Sequence, residues 1–287
     1  MVRAAFALGL MVFALSGSAG AQEARLRDVL ARAGAYVQDY HRRITTVVAD
    51  EHYVQRSMAA SGARDEAPEG AGDVIEAREL RSEFMLLPGI PGEGGWFAFR
   101  DVLEVDGRPV NSQRGRLEGW LAESRAGFMR RARALALEQA RYNIGPVVRT
   151  INVPTLALEI LMPANQERFR FRRAGTARHA DPGVAAVTFE ERRRPTMIRT
   201  PEGRDVRASG TLWIETATGR VVRTELRTGG RGQVDAAIAV GYGLVPRLEM
   251  LLPASMEERY VAGGVRVTCT ATYSNYRRFE TDARIVR

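Results

Sequence analysis

Residues 265–274, VRVTCTATYS, decide the fold, because apolar and polar side chains alternate through the whole stretch. In an extended chain one side carries Val265, Val267, Cys269, Ala271 and Tyr273, and the other carries Arg266, Thr268, Thr270, Thr272 and Ser274. A strand with one apolar and one polar face is typical of an antiparallel sheet that is packed on one side and wet on the other.

The same signal recurs upstream, where short runs of strand composition alternate with tight turns. The dipeptide Gly263-Gly264 and the run Thr216-Ala217-Thr218-Gly219 are typical of hairpin turns. Strands are predicted at residues 46–56, 80–87, 96–105, 169–171, 184–190, 196–199, 211–215, 220–226, 238–242, 255–261 and 265–279. This pattern predicts one antiparallel sheet of about ten strands.

Helical periodicity appears in two places. Residues 23–45 carry apolar side chains at steps of three and four, and a second helical region occupies about residues 114–162. The fold class predicted is therefore α+β: a strongly curved antiparallel sheet, or incomplete β-barrel, with helices covering one face. We expect one domain over residues 22–287, with residues 114–162 as a helical insertion.

The first 21 residues have the pattern of a signal peptide. Arg3 precedes an apolar run of about twelve residues, and the small residues Ser18-Ala19-Gly20-Ala21 place cleavage before Gln22. The run is shorter than a transmembrane helix needs. We therefore predict an exported protein, periplasmic or secreted, which makes nucleic acid a poor partner.

Charge and cysteine content narrow the chemistry. The net charge is +8, and arginine supplies all 42 basic residues. An exported basic protein meets anionic partners at membrane surfaces and on envelope polymers. Cys269 is the only cysteine, so an internal disulfide is excluded and its position in a strand favours a buried, inert side chain.

The order of elements resembles the periplasmic lipoprotein-carrier (LolA-like) superfamily. The resemblance rests on the leader, on the helix that runs into Thr46-Val47-Val48-Ala49-Asp50, and on residues 210–215 followed by 218–226. The chain is also similar to secreted bacterial proteins of unassigned activity, through residues 141–146 and 273–279. The first resemblance implies a half-barrel closed by helices around a hydrophobic cavity.

Candidate catalytic and metal-binding groups are sparse. Asp50 and His52 share one side of a strand, and with His41 they approximate a metal site, although a solvated histidine is the more common outcome. Asp101 interrupts the apolar face of its strand and needs a charged partner if it is buried. The glycine-rich residues 92–95 and 229–232 lack the lysine of a phosphate-binding loop. Neither a metal nor a cofactor is predicted.

The leading hypothesis is a non-enzymatic carrier or sensor that holds a lipid or a lipoprotein acyl chain between sheet and helices. The ligand-binding residues predicted are Phe97, Phe99, Leu103, Val265, Val267 and Tyr273 for the apolar wall, and Arg170 and Arg172 for the head group. The two arginines also fit a simpler role on a solvated face. The alternatives are an interaction module of an envelope assembly, which predicts a stable protein partner, and an exported hydrolase of wall or lipid substrates that uses Asp101 or the Asp50/His52 pair.

Overall fold

The computed structural model describes residues 15–278 apart from 45–46, 61–72, 89–95, 111–124, 148, 150, 175–181, 201 and 230–234. The helices are α1 (Leu15–Arg43), α2 (Arg125–Gln139) and the short α3 (Pro163–Gln166), with 3-10 turns at Ala140–Tyr142, Leu156–Leu161 and Pro246–Leu248. The strands are β1 (Val47–Ala59), β2 (Val74–Pro88), β3 (Trp96–Val105), β4 (Arg108–Pro109), β5 (Phe169–Arg173), β6 (Val184–Glu191), β7 (Ile198–Arg199), β8 (Asp205–Val206), β9 (Ala208–Glu215), β10 (Val221–Thr228), β11 (Asp235–Val245), β12 (Met250–Ala262) and β13 (Val265–Arg278).

One antiparallel sheet of eleven strands dominates the described residues. Its order is β4-β3-β2-β1-β13-β12-β11-β10-β9-β6-β5, and β7 and β8 form a separate pair. The two ends of the large sheet, β4 and β5, are not paired with each other, so the barrel is not closed. The α+β class and the single large antiparallel sheet are confirmed.

The alternation of burial along β1 defines the two faces of the sheet. Glu51, Tyr53 and Gln55 are buried on what we call the inner face, whereas His52 and Arg56 belong to the opposite, outer face. The register carries this parity to both neighbours, because Tyr53 lies opposite Ala271 of β13 and Leu80 of β2. The apolar side of β13 identified in the sequence is therefore part of the inner face.

Helix α1 packs on the inner face through the stripe expected from its periodicity. Its buried residues Val29, Leu30, Ala33, Val37 and Tyr40 belong to the same core as the inner face of the sheet. Arg32 Nε donates to the carbonyl of Thr216 at 2.8 Å, at the turn between β9 and β10. Among the described residues, none of the helices is both long enough and apolar enough to cross a membrane.

The segment that contains helix α2 begins beside β3 and continues onto the inner face of the sheet. Helix α2 contacts β3, where the backbone N–H of Val102 donates to Gln139 Oε1. The helical segment ends with the 3-10 turn Ala140–Tyr142, and Gly145 beyond it has a left-handed φ of +75°. A Cβ at Gly145 would lie 2.6 Å from Val267 Cγ2, so this segment covers Val267 closely.

The 3-10 turn Leu156–Leu161 buries a carboxyl group beside α1, and this predicts a pH-dependent stability. Burial raises the pKa of Glu159 to about 7. His41 is close by, with its Nε2 atom 3.8 Å from Glu159 Oε1. The folded protein thus keeps a proton that the unfolded chain releases near pH 4.5, so stability falls as the pH rises from about 4.5 to 7. Against Glu159→Gln, which lacks this proton, we expect wild type to lose about 2–3 kcal/mol between pH 5 and 8. Urea unfolding of both proteins across this range measures it, and a constant difference would contradict the burial of this carboxyl group.

Candidate functional site

A cleft opens where β12 and β13 separate. The two strands pair only from Ser255 opposite Thr272 to Ala262 opposite Val265. Before Ser255, β12 carries Pro253, which has no N–H to donate and is therefore unusual in a central strand. Beyond Thr272, β13 carries a left-handed residue, Asn275 (φ +51°), near an irregularity in its pairing with β1. Both strands thus carry a residue that disturbs regular pairing at the same level of the sheet.

The cavity between the separated strands has a volume of about 500 Å³. Its walls are formed by Gly243, Leu244, Val245, Pro246, Arg247, Leu252, Pro253, Ala254, Tyr273, Ser274, Asn275 and Tyr276. The Tyr276 hydroxyl donates to the Pro253 carbonyl at 2.6 Å and so ties the two strands together across the gap. Leu244 is 59% exposed although it is a large apolar residue, and it places an aliphatic side chain at the opening.

Tyr273 is the wall residue with the most unusual environment. Its ring packs on Phe84 with 4.9 Å between the ring centroids, and the side chain is buried. Its hydroxyl is buried and has no hydrogen-bond partner within the described structure. Burial raises the pKa of Tyr273 well above its ordinary value, so the group stays a neutral donor. A buried hydroxyl without a partner is costly, so this part of the wall is under strain.

Basic side chains stand around the same end of the sheet. Arg247 lines the cleft, is exposed, and forms no ion pair with any residue that the structure describes. Arg43 of α1 donates to the carbonyls of Leu248 and Glu249, both at 3.1 Å, and so ties α1 to the connection that precedes β12. Arg278 Nη2 lies 3.8 Å from Met250 Sδ at the far end of the gap. The chemistry of the cleft is therefore an apolar slot with cationic groups nearby.

A buried ionic cluster lies next to the cleft on the inner face. Arg100 Nε bonds both carboxylate oxygens of Glu51 at 2.7 and 2.9 Å, and its guanidinium also lies over the Phe84 ring that supports Tyr273. Further along the sheet, Arg149 donates to Tyr53 Oη and Gln55 Oε1, and burial raises the pKa of Glu258. Arg149 also donates to the Ile144 carbonyl. The cluster therefore binds the connecting segment 142–149 to the sheet.

The structure places the predicted apolar wall residues on two faces of the sheet. Val265, Val267 and Tyr273 lie on the inner face. Phe84 and Arg100 are paired on the inner face, and the next pair along the strands is Met85 and Phe99, which therefore lies on the outer face. Phe97 is two residues from Phe99 and lies on the same outer face. Leu103 is buried at the irregularity between the Arg81 and Ser82 pairings.

The eight predicted residues are therefore not brought together around one cavity. Tyr273 is the member of the set that lines the cleft. Arg170 and Arg172 are exposed on the outer face, because Arg170 belongs to a cross-strand row that reaches Arg56 of β1. Contact of any of the eight with a ligand stays a prediction.

Sequence reasoning missed Leu244, Leu252, Pro253 and Tyr276 as wall residues. One signal was available: Pro253 follows the apolar pair Leu251-Leu252 and interrupts a run that is otherwise strand-like. A proline in such a run indicates an edge strand or a disturbance in pairing. A proline does not reveal with which of its two neighbours the strand stops pairing.

The groups considered for catalysis or metal binding have structural partners. His52 Nε2 lies 2.8 Å from Glu79 Oε1 on the outer face, whereas His41 lies near Glu159 beside α1. Asp50 pairs with Arg277 at 3.0 Å. Asp101 is fully buried and engaged in an interaction. Within the described ranges, no group of three metal-ligating residues converges.

Burial raises the pKa of the Cys269 thiol to about 12, which is the opposite of what an activated nucleophile requires. His179 lies outside the described residues.

Comparison with known proteins finds similar solved structures of low sequence identity. No protein-family model matches the chain, and a search of curated proteins finds no match. The chain is similar to an outer membrane lipoprotein-sorting protein domain from Vibrio parahaemolyticus, with 12% identity, a TM-score of 0.41, and coverage of 87% of this chain and 93% of that one. It is also similar to a DUF1329 family protein from Desulfovibrio piger, with 10% identity, a TM-score of 0.40, and coverage of 91% and 94%.

Proposed function

We propose that the chain is an exported envelope protein that holds a hydrophobic or amphiphilic ligand, a lipid or a lipoprotein acyl chain, in the cleft between β12 and β13. In this proposal the protein is a non-enzymatic carrier or sensor that acts in the periplasm after cleavage near Ala21. The proposal assumes that helices cover the inner face, so that the ligand enters past Leu244 rather than from the helical side.

The observation that carries the proposal is the cleft itself. A volume of about 500 Å³ falls within the range of small-molecule sites in proteins, which are mostly apolar with a few placed polar groups. Leu252, Pro253 and Ala254 supply the apolar wall. Tyr273 adds an aromatic side chain to the wall, and Arg247 supplies a positive charge at the surface. This set of groups suits a molecule with an apolar chain and an acidic or polar head.

Replacing Leu244 with aspartate tests the proposal at the opening of the cleft. Leu244 is exposed, so the fold tolerates the change, but a charge at the opening opposes entry of an apolar chain. We expect affinity for a single-chain fluorescent fatty acid to fall at least tenfold, which corresponds to the loss of one buried leucine contact. Native mass spectrometry of protein purified from a bacterial periplasm without detergent should show a lipid adduct on wild type and less of it on Leu244→Asp.

The matched control is Leu137→Asp on α2, because Leu137 is likewise a large exposed apolar residue, 80% exposed. It introduces the same charge away from the cleft and should leave binding unchanged. Equal losses in the two variants would mean that the effect is not specific to the cleft. Wild type that neither carries an adduct nor binds the fatty acid would refute the proposed function.

A further inference from the structure

Charge is segregated into rows on the outer face of the sheet. One cross-strand row runs Arg170, Glu190, Ser209, Arg227, Ala237, Arg259, Thr268 and Arg56, from β5 to β1. The next row runs Arg172, Thr188, Thr211, Glu225, Ala239, Glu257, Thr270, Val54 and Glu79. The first row holds four arginines and one glutamate, and the second holds one arginine and three glutamates. Of these two neighbouring rows, the first is therefore strongly positive and the second is negative.

We call the four arginines of the first row, together with Arg207, the basic band. The row crosses eight strands, so at about 4.8 Å per strand the band is roughly 34 Å wide. Arg56, Arg170 and Arg207 are exposed and form no ion pair with any residue that the structure describes. Arg227 Nη2 lies 4.0 Å from Glu225 Oε2, at the outer limit of an ion pair. Most of the band is therefore available to an external anion.

A polar cavity lies inside the basic band. It has a volume of about 400 Å³, and Arg207, Arg227 and Arg259 approach it from three different segments of the chain. Ser209 and Thr228 add hydroxyl groups to its wall, and Glu190 and Asp235 add carboxylates. Glu190 is already bonded to Arg192 at 2.8 Å, and Arg207 forms no ion pair with any residue that the structure describes. Guanidinium and hydroxyl groups are the hydrogen-bond donors that a phosphate accepts.

Exposed aliphatic side chains stand at one end of the band. Val74 and Ile75 of β2 are 52% and 65% exposed. Val74 lies opposite Met58, and the band residue Arg56 lies opposite Ala77, so the two aliphatic residues are next to the band in the same part of β2. A soluble polyanion would gain nothing from contact with exposed aliphatic groups. A membrane surface, in contrast, binds basic side chains through its phosphates and apolar side chains through its acyl region.

We propose that the basic band docks on the surface of a bilayer containing anionic phospholipid, with a lipid phosphate in the cavity and Val74 and Ile75 at the level of the head groups. The cleft lies towards the other end of β12, since Leu252 is seven residues from Arg259, or about 23 Å along the strand. Docking through the band therefore leaves the cleft uncovered. This proposal does not depend on the cleft binding a ligand.

The test compares binding of the purified chain to two kinds of vesicle by sedimentation: phosphatidylcholine alone, and phosphatidylcholine with about 30 mol % phosphatidylglycerol. We expect binding to the anionic vesicles only, and weaker binding at about 0.3 M than at about 0.05 M salt. Arg207→Gln/Arg227→Gln should bind the anionic vesicles about 30-fold more weakly, as expected for the loss of two surface arginines.

The matched control is Arg81→Gln/Arg223→Gln. Both residues are exposed on the same face and belong to a row about 13 Å from the band, so the variant loses equal charge but should bind within about threefold of wild type. Ile75→Ser should weaken binding several-fold, whereas Val110→Ser, another exposed aliphatic residue, should not.

Equal weakening in the two arginine pairs would overturn the proposal, and so would binding to neutral vesicles without salt dependence. Binding to heparin without binding to anionic vesicles would also overturn it and would identify the band as a site for a soluble polyanion.

Discussion

Arg100→Met is expected to destabilise the fold by about 3–5 kcal/mol, which is the cost of breaking a buried ion pair from one side. Arg100 Nε contacts both carboxylate oxygens of Glu51, and the Glu51 side chain has no exposed surface. Methionine fills similar space but leaves that carboxylate in an apolar interior without its counter-ion. The free energy of unfolding in urea at pH 7 measures the loss.

Two further variants separate the ion pair from the packing of the side chain. Glu51→Leu/Arg100→Met removes both charges, and we expect it to regain most of the stability that Arg100→Met loses, because a buried pair contributes little over an apolar replacement. Arg220→Met breaks a pair of similar geometry, 2.8 Å to Glu215, that is partly exposed, and it should cost no more than about 1 kcal/mol. If Arg100→Met and Arg220→Met cost the same, the Glu51 carboxylate is not buried as described.

This pair also shows where sequence reasoning reached its limit. Asp101 drew attention because it interrupts an apolar face, and it is indeed fully buried. Its neighbour Arg100 lies on the other face of the same strand and forms the buried pair with Glu51 across two strand pairings. Alternation along β3 assigns Arg100 to a polar side and predicts solvent there. It does not reveal that this side is the one that faces the core.

The strands themselves were predictable because their signals are local. Alternating side chains and the tight turn at Gly263-Gly264 identify β12 and β13, and both the β2–β3 hairpin and α1 appear close to their predicted positions. Sheet order is not local. Strand β1 lies between β2 and β13, a neighbour more than 200 residues away in the chain, and nothing in the sequence of β1 specifies that choice.

The candidate site was only partly accessible from sequence for the same reason. Period-two patterning shows which residues of one strand share a face, but not which face of the sheet they join. Phe97 and Phe99 were grouped with Val267 because all lie on apolar sides of strands, yet the register puts them on opposite faces. The cleft depends on where β12 and β13 cease to pair. Pro253 is the sequence signal for this that we recognise.

Gly219→Ala should destabilise the protein by about 1–3 kcal/mol more than the same substitution at Gly264. Gly219 (φ +76°) lies in the hairpin turn against which α1 packs, and a Cβ there would lie 2.4–2.6 Å from backbone atoms of Arg32 and Ala33. Backbone atoms of a helix cannot rotate away, so α1 must shift or the turn must distort, and overpacking of this kind typically costs about 1–3 kcal/mol.

Gly264 (φ +75°) is the matched control, because it lies in the β12–β13 turn with nothing within 4 Å of the added Cβ. Alanine at Gly264 is opposed only by its left-handed backbone conformation, which costs roughly 1–2 kcal/mol of stability. Alanine at Gly219 has the same backbone cost and, in addition, the clash with α1. The difference between the two variants in urea unfolding thus isolates the contact between α1 and the sheet. Equal effects would show that α1 does not rest on this turn, and the helical cover over the inner face that the proposed ligand path assumes would then lose its support.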